Sequence, residues 1–599
     1  MKFAAILLAA GTAWGAPPDG AALYRTRCAA CHDHTETRAP GRDSFGKMMP
    51  EFILKTMVDG AMAPQSIGLT PDERTSIARF LSGKEFGAAA VDSTNAGRCA
   101  AGESTFHAAE IGWNGWGADV ENTRYQPHPG LTAADVPRLK LKWAFGFPGA
   151  TKAFAQPVIA GGRLFTGSVG RIVYALDART GCIDWTYDAG AGVRTAVAIG
   201  PAAGTGTVAF FGDLKANVHA VNAATGRLLW KTRVESHPVA RITGSPVLYE
   251  GRLYVPVSSI EEAAAKSARY KCCTFRGSVV ALDAATGRVI WKTYTIPETP
   301  APVQKNKAGG ELWGPAGAAV WSAPTIDVKR KRLYVGAGNS YTDVPVKTND
   351  AIVAMDLATG RIEWARQVMP NDNFLVDCTK PGEGNCPEHP GPDYDFGASP
   401  ILRSLGDGKD VIVAAQKSGM VYGLDPDKNG EILWRTRLGR GSALGGIQWG
   451  AAADLATVYA AVSDVVALPA GPAGGLHALS LATGAELWKT PAPVPNCVPL
   501  TKGCSGAQSA AVTAMPGVVF SGSIDGHLRG YSTKTGGIVW DFDTLRKFDT
   551  VNGVAGQGGS IDAAGPAIAN GMVYTNSGYG AFFFGAPGNV LLAFSVDGK

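Results

Sequence analysis

The run Cys28-Ala29-Ala30-Cys31-His32 puts two thiols three positions apart, with an imidazole directly after the second. At that spacing both thiols can form thioether bonds to one haem while the histidine takes its iron, the C-x-x-C-H pattern of covalent haem attachment. Iron held this way needs a second axial ligand, and a methionine thioether there raises the potential. Met48, Met49, Met57 and Met62 follow closely enough in the chain to supply it. Ten cysteines occur in all, at 28, 31, 99, 182, 272, 273, 378, 386, 497 and 504. Cys378/Cys386 and Cys497/Cys504 each close a short polar loop and are expected to form disulfides, as an oxidising compartment allows. Cys99 and Cys182 could pair by elimination, and Cys272 and Cys273 are adjacent.

That compartment agrees with the N-terminus. Met1-Lys2-Phe3 opens an apolar run through Ala10, followed by small residues up to Ala16 and then Pro17-Pro18. This predicts a secretory signal over 1–16 and a periplasmic mature protein. The run is far short of the ~20 residues that span a bilayer, and no later stretch is apolar for long enough. The 56 basic and 51 acidic residues give a net charge of +5 without a long basic run, so nucleic acid is not the expected partner.

Two sets of elements must position these groups. In the first, Leu69-Thr70-Pro71-Asp72-Glu73 predicts a capped helix start with proline in the first turn, leading into an amphipathic helix through Leu81. The loop Gly60-Ala61-Met62-Ala63-Pro64 lies just before it. A ligand loop followed by a C-terminal helix resembles class I cytochrome c, which implies His32 and Met62 as the iron ligands, with Met57 the alternative. The module is expected over 17–86, and 87–110, rich in alanine, glycine and serine, reads as a linker.

The second set is a repeat. A small apolar strand runs into a Thr-Gly turn, with tryptophan four residues after the glycine, as in Ala175-Leu176-Asp177-Ala178-Arg179-Thr180-Gly181 to Trp185. Glycines 226, 287, 360, 430, 484 and 536 precede tryptophans 230, 291, 364, 434, 488 and 540 in the same way. Successive tryptophans lie 45 to 73 residues apart, room for four strands and their loops. The 77 glycines and 37 prolines suit a protein of many tight turns. Leu139-Lys140-Leu141-Lys142-Trp143 looks like a tryptophan strand without its turn, and Ala593-Phe594-Ser595-Val596-Asp597-Gly598 like a repeat cut off at its turn. Together they predict an eighth unit built from both termini, which closes a ring of sheets without an open edge. The expected fold is an all-β eight-bladed propeller over 111–599, behind a small all-α class I cytochrome c domain.

This repeat, with Trp113-Asn114-Gly115-Trp116-Gly117 and Asn122-Thr123-Arg124-Tyr125 ahead of it, resembles the pyrroloquinoline quinone (PQQ) dehydrogenases. The resemblance implies a Cys272-Cys273 vicinal disulfide against one face of the quinone and Trp321 against the other. It implies a calcium ion held by Asn339 and by Glu262 or Glu261, and Lys417 against the quinone oxygens. It implies Asp350 as the base that takes the hydroxyl proton of an alcohol, with Asp343 as its rival. Asp393 and Asp395 match a segment near the family's site without an assigned role. The leading haem module, the run at 272–278 and the short loop before Asp350 are similar to cytochrome-fused members acting on polymeric secondary alcohols such as polyvinyl alcohol. The expected function is oxidation of secondary alcohols, polymeric or small, to ketones. Electrons would pass through the fused haem to a soluble cytochrome c or another periplasmic acceptor. Two alternatives stand beside it: an enzyme for small alcohols or sugars, and a cofactor-free propeller scaffold carrying a cytochrome.

Overall fold

Short runs of apolar residues bounded by Thr-Gly turns build four-stranded antiparallel sheets in this protein, whose structure is a computed structural model. Residues 18–33, 41–48, 50–58, 62, 64–85, 96–100, 102, 105–406, 408–466, 472–495, 504–580 and 585–599 are described. The expected signal at 1–16 and Cys497 lie outside them. The chain divides into two units, Met1–Asp92 and Ser93–Lys599. Among the described residues no helix is long and apolar enough to cross a membrane.

The larger unit is an eight-bladed propeller. Seven blades each use consecutive stretches of chain, within residues 158–188, 198–233, 240–294, 325–367, 401–437, 452–490 and 513–543. The eighth joins the ends: strand Leu139–Gly146 pairs antiparallel with Val590–Val596, from Leu139 opposite Val596 to Gly146 opposite Val590. The expected closure by both termini is observed. Each blade presents small apolar residues to its neighbours, and the sheets meet in packed cores of valine, leucine, alanine and phenylalanine.

The repeat motif is the joint between blades. Each motif glycine sits at positive φ with the tryptophan ring of the preceding blade lying on its α-carbon; a Cβ on Gly287 would lie 2.5 Å from Trp230, and on Gly360 2.4 Å from Trp291. The indole N–H donates to a carbonyl of the same turn, Trp230 to Ala284 at 3.0 Å and Trp434 to Leu481 at 3.1 Å. Trp540 closes the ring by donating to Leu139 at 3.0 Å. Trp364 departs from the pattern: its Nε1 is buried without a partner, because the turn from Asp425 to Gly430 is one residue longer than that from Asp177 to Gly181. Gly287→Ala should therefore cost about 1–3 kcal/mol, from both the overlap and the positive φ. The check is a lower urea midpoint with an altered indole fluorescence, and an unchanged midpoint would refute the joint.

Within the stretch read from sequence as the end of a linker, residues 97–100 and 105–110 are held to the first blade. Cys99 is disulfide-bonded to Cys182, the Cys99 amide donates to Ile183 at 3.0 Å, and Phe106 packs edge-on to Phe165. Cys378–Cys386 forms as expected, and Cys504 is in a disulfide.

The smaller unit is helical. It contains α1 (Gly20–Arg27), α2 (Ala29–His32), α3 (Pro50–Val58) and α4 (Pro71–Ser82), around Phe45, Met48, Ile53, Met57, Leu69, Ile77 and Ala78. Helix α4 starts as the sequence predicts, with a reciprocal Thr70–Glu73 capping box and Pro71 in its first turn, and it ends at Gly83 at φ 63. Gly20 allows α1 to cross α4, since a Cβ there would lie 2.1 Å from the Ser76 carbonyl oxygen.

Candidate active site

Three insertions between blade strands meet around the vicinal cysteines. The strand Arg252–Ser259 ends in α5 (Glu261–Ala264), one short turn that aims two successive carboxylates in different directions. Glu261 is fully buried and committed: it accepts from the amides of Thr274 (3.0 Å) and Phe275 (2.8 Å) and from Tyr270 Oη (3.1 Å). Its carboxylate fixes the chain just after Cys272–Cys273, which are disulfide-bonded to each other. Glu262 belongs to a different group. Burial and the charge of Asp395 push its carboxyl up to about 7 against the pull of Lys417.

Lys417 is the centre of that group. Its ammonium donates to Asp395 Oδ2 at 2.7 Å and Asp393 Oδ1 at 3.0 Å, and lies 5.2 Å from the Trp321 ring centroid. Burial pulls its pKa down, but Asp393, Asp395 and Glu262 outweigh this and hold it above the ordinary lysine value. Asp395 also accepts from the Asn339 amide at 2.6 Å. It reaches that amide because Gly338 leaves the space; a Cβ there would lie 2.5 Å from Asp395 Oδ1. Asn339 donates its side-chain amide to the carbonyls of Ser340 and Phe374.

Asp350 sits at φ 45 where the loop turns into the strand Ala351–Asp356, and it is fully buried. One oxygen accepts from Asn349 Nδ2 at 2.8 Å, and the other has no partner. Burial first, then the charges of Asp372 and Asp395, hold its carboxyl well above the usual range. Asp343 is spent elsewhere, accepting from the amides of Glu388 (2.8 Å) and His389 (3.1 Å) and so latching a surface loop. The geometry places Asp350, and not Asp343, among the site carboxylates.

Sequence reasoning did not find two contributors. Asp372 accepts from the amides of Asp393 (2.9 Å) and Tyr394 (2.6 Å), shaping the turn that carries both partners of Lys417. Burial pushes its carboxyl up to about 6. Arg194 stacks 4.4 Å over Trp449 in a cavity also lined by Trp116, Phe154, Trp321 and Gly397. Both come from segments outside the repeat, which is the one signal that could have flagged them.

Glu262, Asp350, Asp372, Asp393 and Asp395 thus share one buried region with a single ammonium. Buried carboxylates in excess are costly unless a cation compensates them, and a hard cation with oxygen ligands suits this set. No group of three or more His, Cys, Asp or Glu among the described residues is arranged to hold a metal by itself. Beside that buried region, Trp321 is a half-buried aromatic plane that packs against the same cluster as Cys272 and Cys273. A flat, anionic, cation-binding molecule matches both features.

In the helical unit, Cys28 stands at the N-cap of α2, and Cys31 and His32 end it. His32 is buried with its ring 5.0 Å from Phe45. Cys28, Met48, Met57 and Met62 share the same apolar cluster, which His32 meets through Phe45, while Cys31 is exposed.

Comparison with known proteins shows the family. Residues 113–383 match the family described as glucose/ethanol/alcohol dehydrogenase, beta-propeller domain. Residues 273–495 and 472–599 match that of outer membrane protein assembly factor BamB. A polyvinylalcohol dehydrogenase of Pseudomonas sp is 46% identical over 99% of this chain and 96% of its own length. Another, of Sphingopyxis sp. (strain 113P3), is 44% identical over 97% and 93%. The quinohemoprotein alcohol dehydrogenase structure from Comamonas testosteroni superposes with a TM-score of 0.60 at 21% identity, covering 82% of both chains. At that identity the likeness speaks to the propeller fold.

Proposed function

Because this chain belongs to the polyvinyl alcohol dehydrogenase family of PQQ-dependent alcohol dehydrogenases, we propose that it oxidises secondary alcohols, polymeric ones included, to ketones in the periplasm. The observation that carries this is Asp350: a buried carboxylate with one unpartnered oxygen, in a region of excess negative charge beside Trp321 and Cys272–Cys273.

Glu262 and Asn339 would hold calcium, Lys417 would face the quinone oxygens, and Trp321 and the vicinal disulfide would take the two ring faces. When bound, PQQ supplies the acceptor for the hydride that leaves the alcohol carbon. Asp350 takes the hydroxyl proton on its unpartnered oxygen, and Asn349 holds the other oxygen in place. Asp393 and Asp395 fix the Lys417 ammonium, so its charge needs no reorganisation during the reaction. Glu261 keeps the vicinal cysteines in position from behind. Cys28, Cys31, His32 and Met62 would hold haem c, which supplies one-electron transfer to an external acceptor.

Anaerobic visible spectra of the oxidised full-length protein test this. The haem bands should become reduced only when PQQ, calcium and polyvinyl alcohol or a small secondary diol are all present. A haem that responds to ascorbate but to no alcohol, in a protein that does not bind PQQ, would leave the scaffold reading in its place.

Two further results are expected. Base catalysis needs ionised Asp350, whose pKa burial raises, so kcat at saturating PQQ and calcium should fall in acid and rise with pH. A kcat that rises toward acid would exclude Asp350 as the base. Gly397→Ala would place a Cβ 2.0 Å from Trp321 Cη2. It should weaken PQQ binding at least tenfold by fluorescence titration, because the ring must leave its plane; equal affinity would remove Trp321 from the site.

A further inference from the structure

The chain between α5 and the vicinal disulfide, residues 265–271, contains no strand and only turn-type backbone bonds of its own. Most of its carbonyl bonds to other segments come from one side chain. Asn385 is 6% exposed, and its single amide nitrogen donates to the carbonyls of Ser267 (2.8 Å), Ala265 (3.0 Å) and Tyr270 (3.1 Å). Its oxygen accepts from Asn306 Nδ2 at 2.8 Å, and that nitrogen also donates to Ala268 at 2.9 Å. Asn306 lies in the turn of the hairpin Ala301–Lys305/Glu311–Gly314, whose second strand exchanges backbone bonds with both vicinal cysteines. Asn385 adjoins Cys386, whose disulfide with Cys378 closes its loop. The same insertion sends the Val376 amide to the Glu262 carbonyl at 3.1 Å. Further along it carries Asp393 and Asp395.

We propose that Asn385 is the positioning residue of the cofactor site: it clamps the 265–271 segment and so sets Glu262 at one end and Cys272–Cys273 at the other. The proposal rests on the PQQ and calcium reading above. This buried amide is costly to lose, since the Ala265 and Tyr270 carbonyls then lose their donor inside the protein and Ser267 keeps only the Tyr270 amide. Asn385 sits in the disulfide-closed loop and bonds both the hairpin turn and the 265–271 segment, which Lys266–Asp377 also ties to the insertion. The insertion therefore joins the Lys417 side of the site to the Glu262 side through Asn385.

The test uses full-length Asn385→Asp, which keeps the shape but removes the donors, and Asn385→Ala. Gly287→Ala serves as a control destabilised at a blade joint. Titrating PQQ by tryptophan fluorescence at a series of calcium concentrations gives the calcium level for half-maximal binding. Loss of an outer-shell support is expected to raise that level about 10–100-fold in both Asn385 variants, with a fall in the urea midpoint no greater than that of the Gly287→Ala control, whose calcium level stays at the wild-type value. Equal calcium levels in all proteins, or the same rise in Gly287→Ala, would overturn the clamp. If the wild-type protein binds no PQQ, the proposed function fails, and hydrogen–deuterium exchange judges the clamp separately. Faster exchange of the Thr274 and Phe275 amides in the Asn385 variants, with the other blades unchanged, supports it; unchanged exchange there overturns it.

Discussion

Asp350→Asn is expected to lower kcat by about 10²–10⁴-fold, the usual contribution of a positioned base, while ascorbate still reduces the haem and PQQ still binds. Asparagine matches the shape of the carboxyl but cannot take a proton. Its effect on stability should run the other way. Asp350 has a folded pKa raised above its unfolded value, so its ionised form costs the cofactor-free protein stability at pH above that raised value. The cost shrinks as pH falls through it and vanishes below the unfolded value, where both states are protonated. Cofactor-free Asp350→Asn should therefore unfold at a higher urea concentration than wild type at pH 7 and at the same concentration near pH 3. Near-wild-type kcat would move the base elsewhere. A variant that is inactive and also less stable at pH 7 would point to a structural role.

Lys417→Met is the second large effect. Lys417 is 6% exposed, and its ammonium is the one cation bonded to Asp393 and Asp395, themselves 6% and 5% exposed. Removing one partner of a buried ion pair strands the other, at about 3–5 kcal/mol. The loss should be read at pH 7 from the urea midpoint and should shrink as pH falls, because the stranded carboxyls can then be protonated. Asp393→Asn in the same chain should recover part of it. A midpoint within error of wild type would mean that Lys417 does not balance these carboxylates.

Much of the propeller was legible in the amino-acid order because its joints are local. Thr180, Gly181 and Trp185 announce one blade's turn, and the glycine must be glycine because Trp143 rests on it. The eighth blade was legible for the same reason: half of the motif stands at each end of the chain. The helix from Pro71 follows from its own capping residues. The C-x-x-C-H run is also local, since two thiols and an imidazole on one turn need no distant partner. The exception is instructive. The extra residue before Gly430 is visible in the sequence, but the unpartnered indole it leaves on Trp364 belongs to the preceding blade.

The candidate site residues divide along the same line. Residue types and spacing determined the C-x-x-C-H run, the ring of eight sheets and a short roster of candidates in the non-repeating segments. Tertiary structure alone decided between neighbours on that roster. Glu261 and Glu262 are adjacent, yet about 100° of helical rotation sends the first to the Thr274 and Phe275 amides and the second toward Asp395 and Lys417. Asp343 and Asp350 share one loop, and only the first meets the amides of Glu388 and His389. Asp372, Arg194 and Asn385 carry no local signature, because what each does is defined by backbone groups or rings far away in sequence. The physical reason is the range of the forces. Turns, caps and blade joints are set by neighbours along the chain or one repeat away, whereas a buried charge or a stranded carbonyl is answered by whatever the fold brings within 3 Å of it.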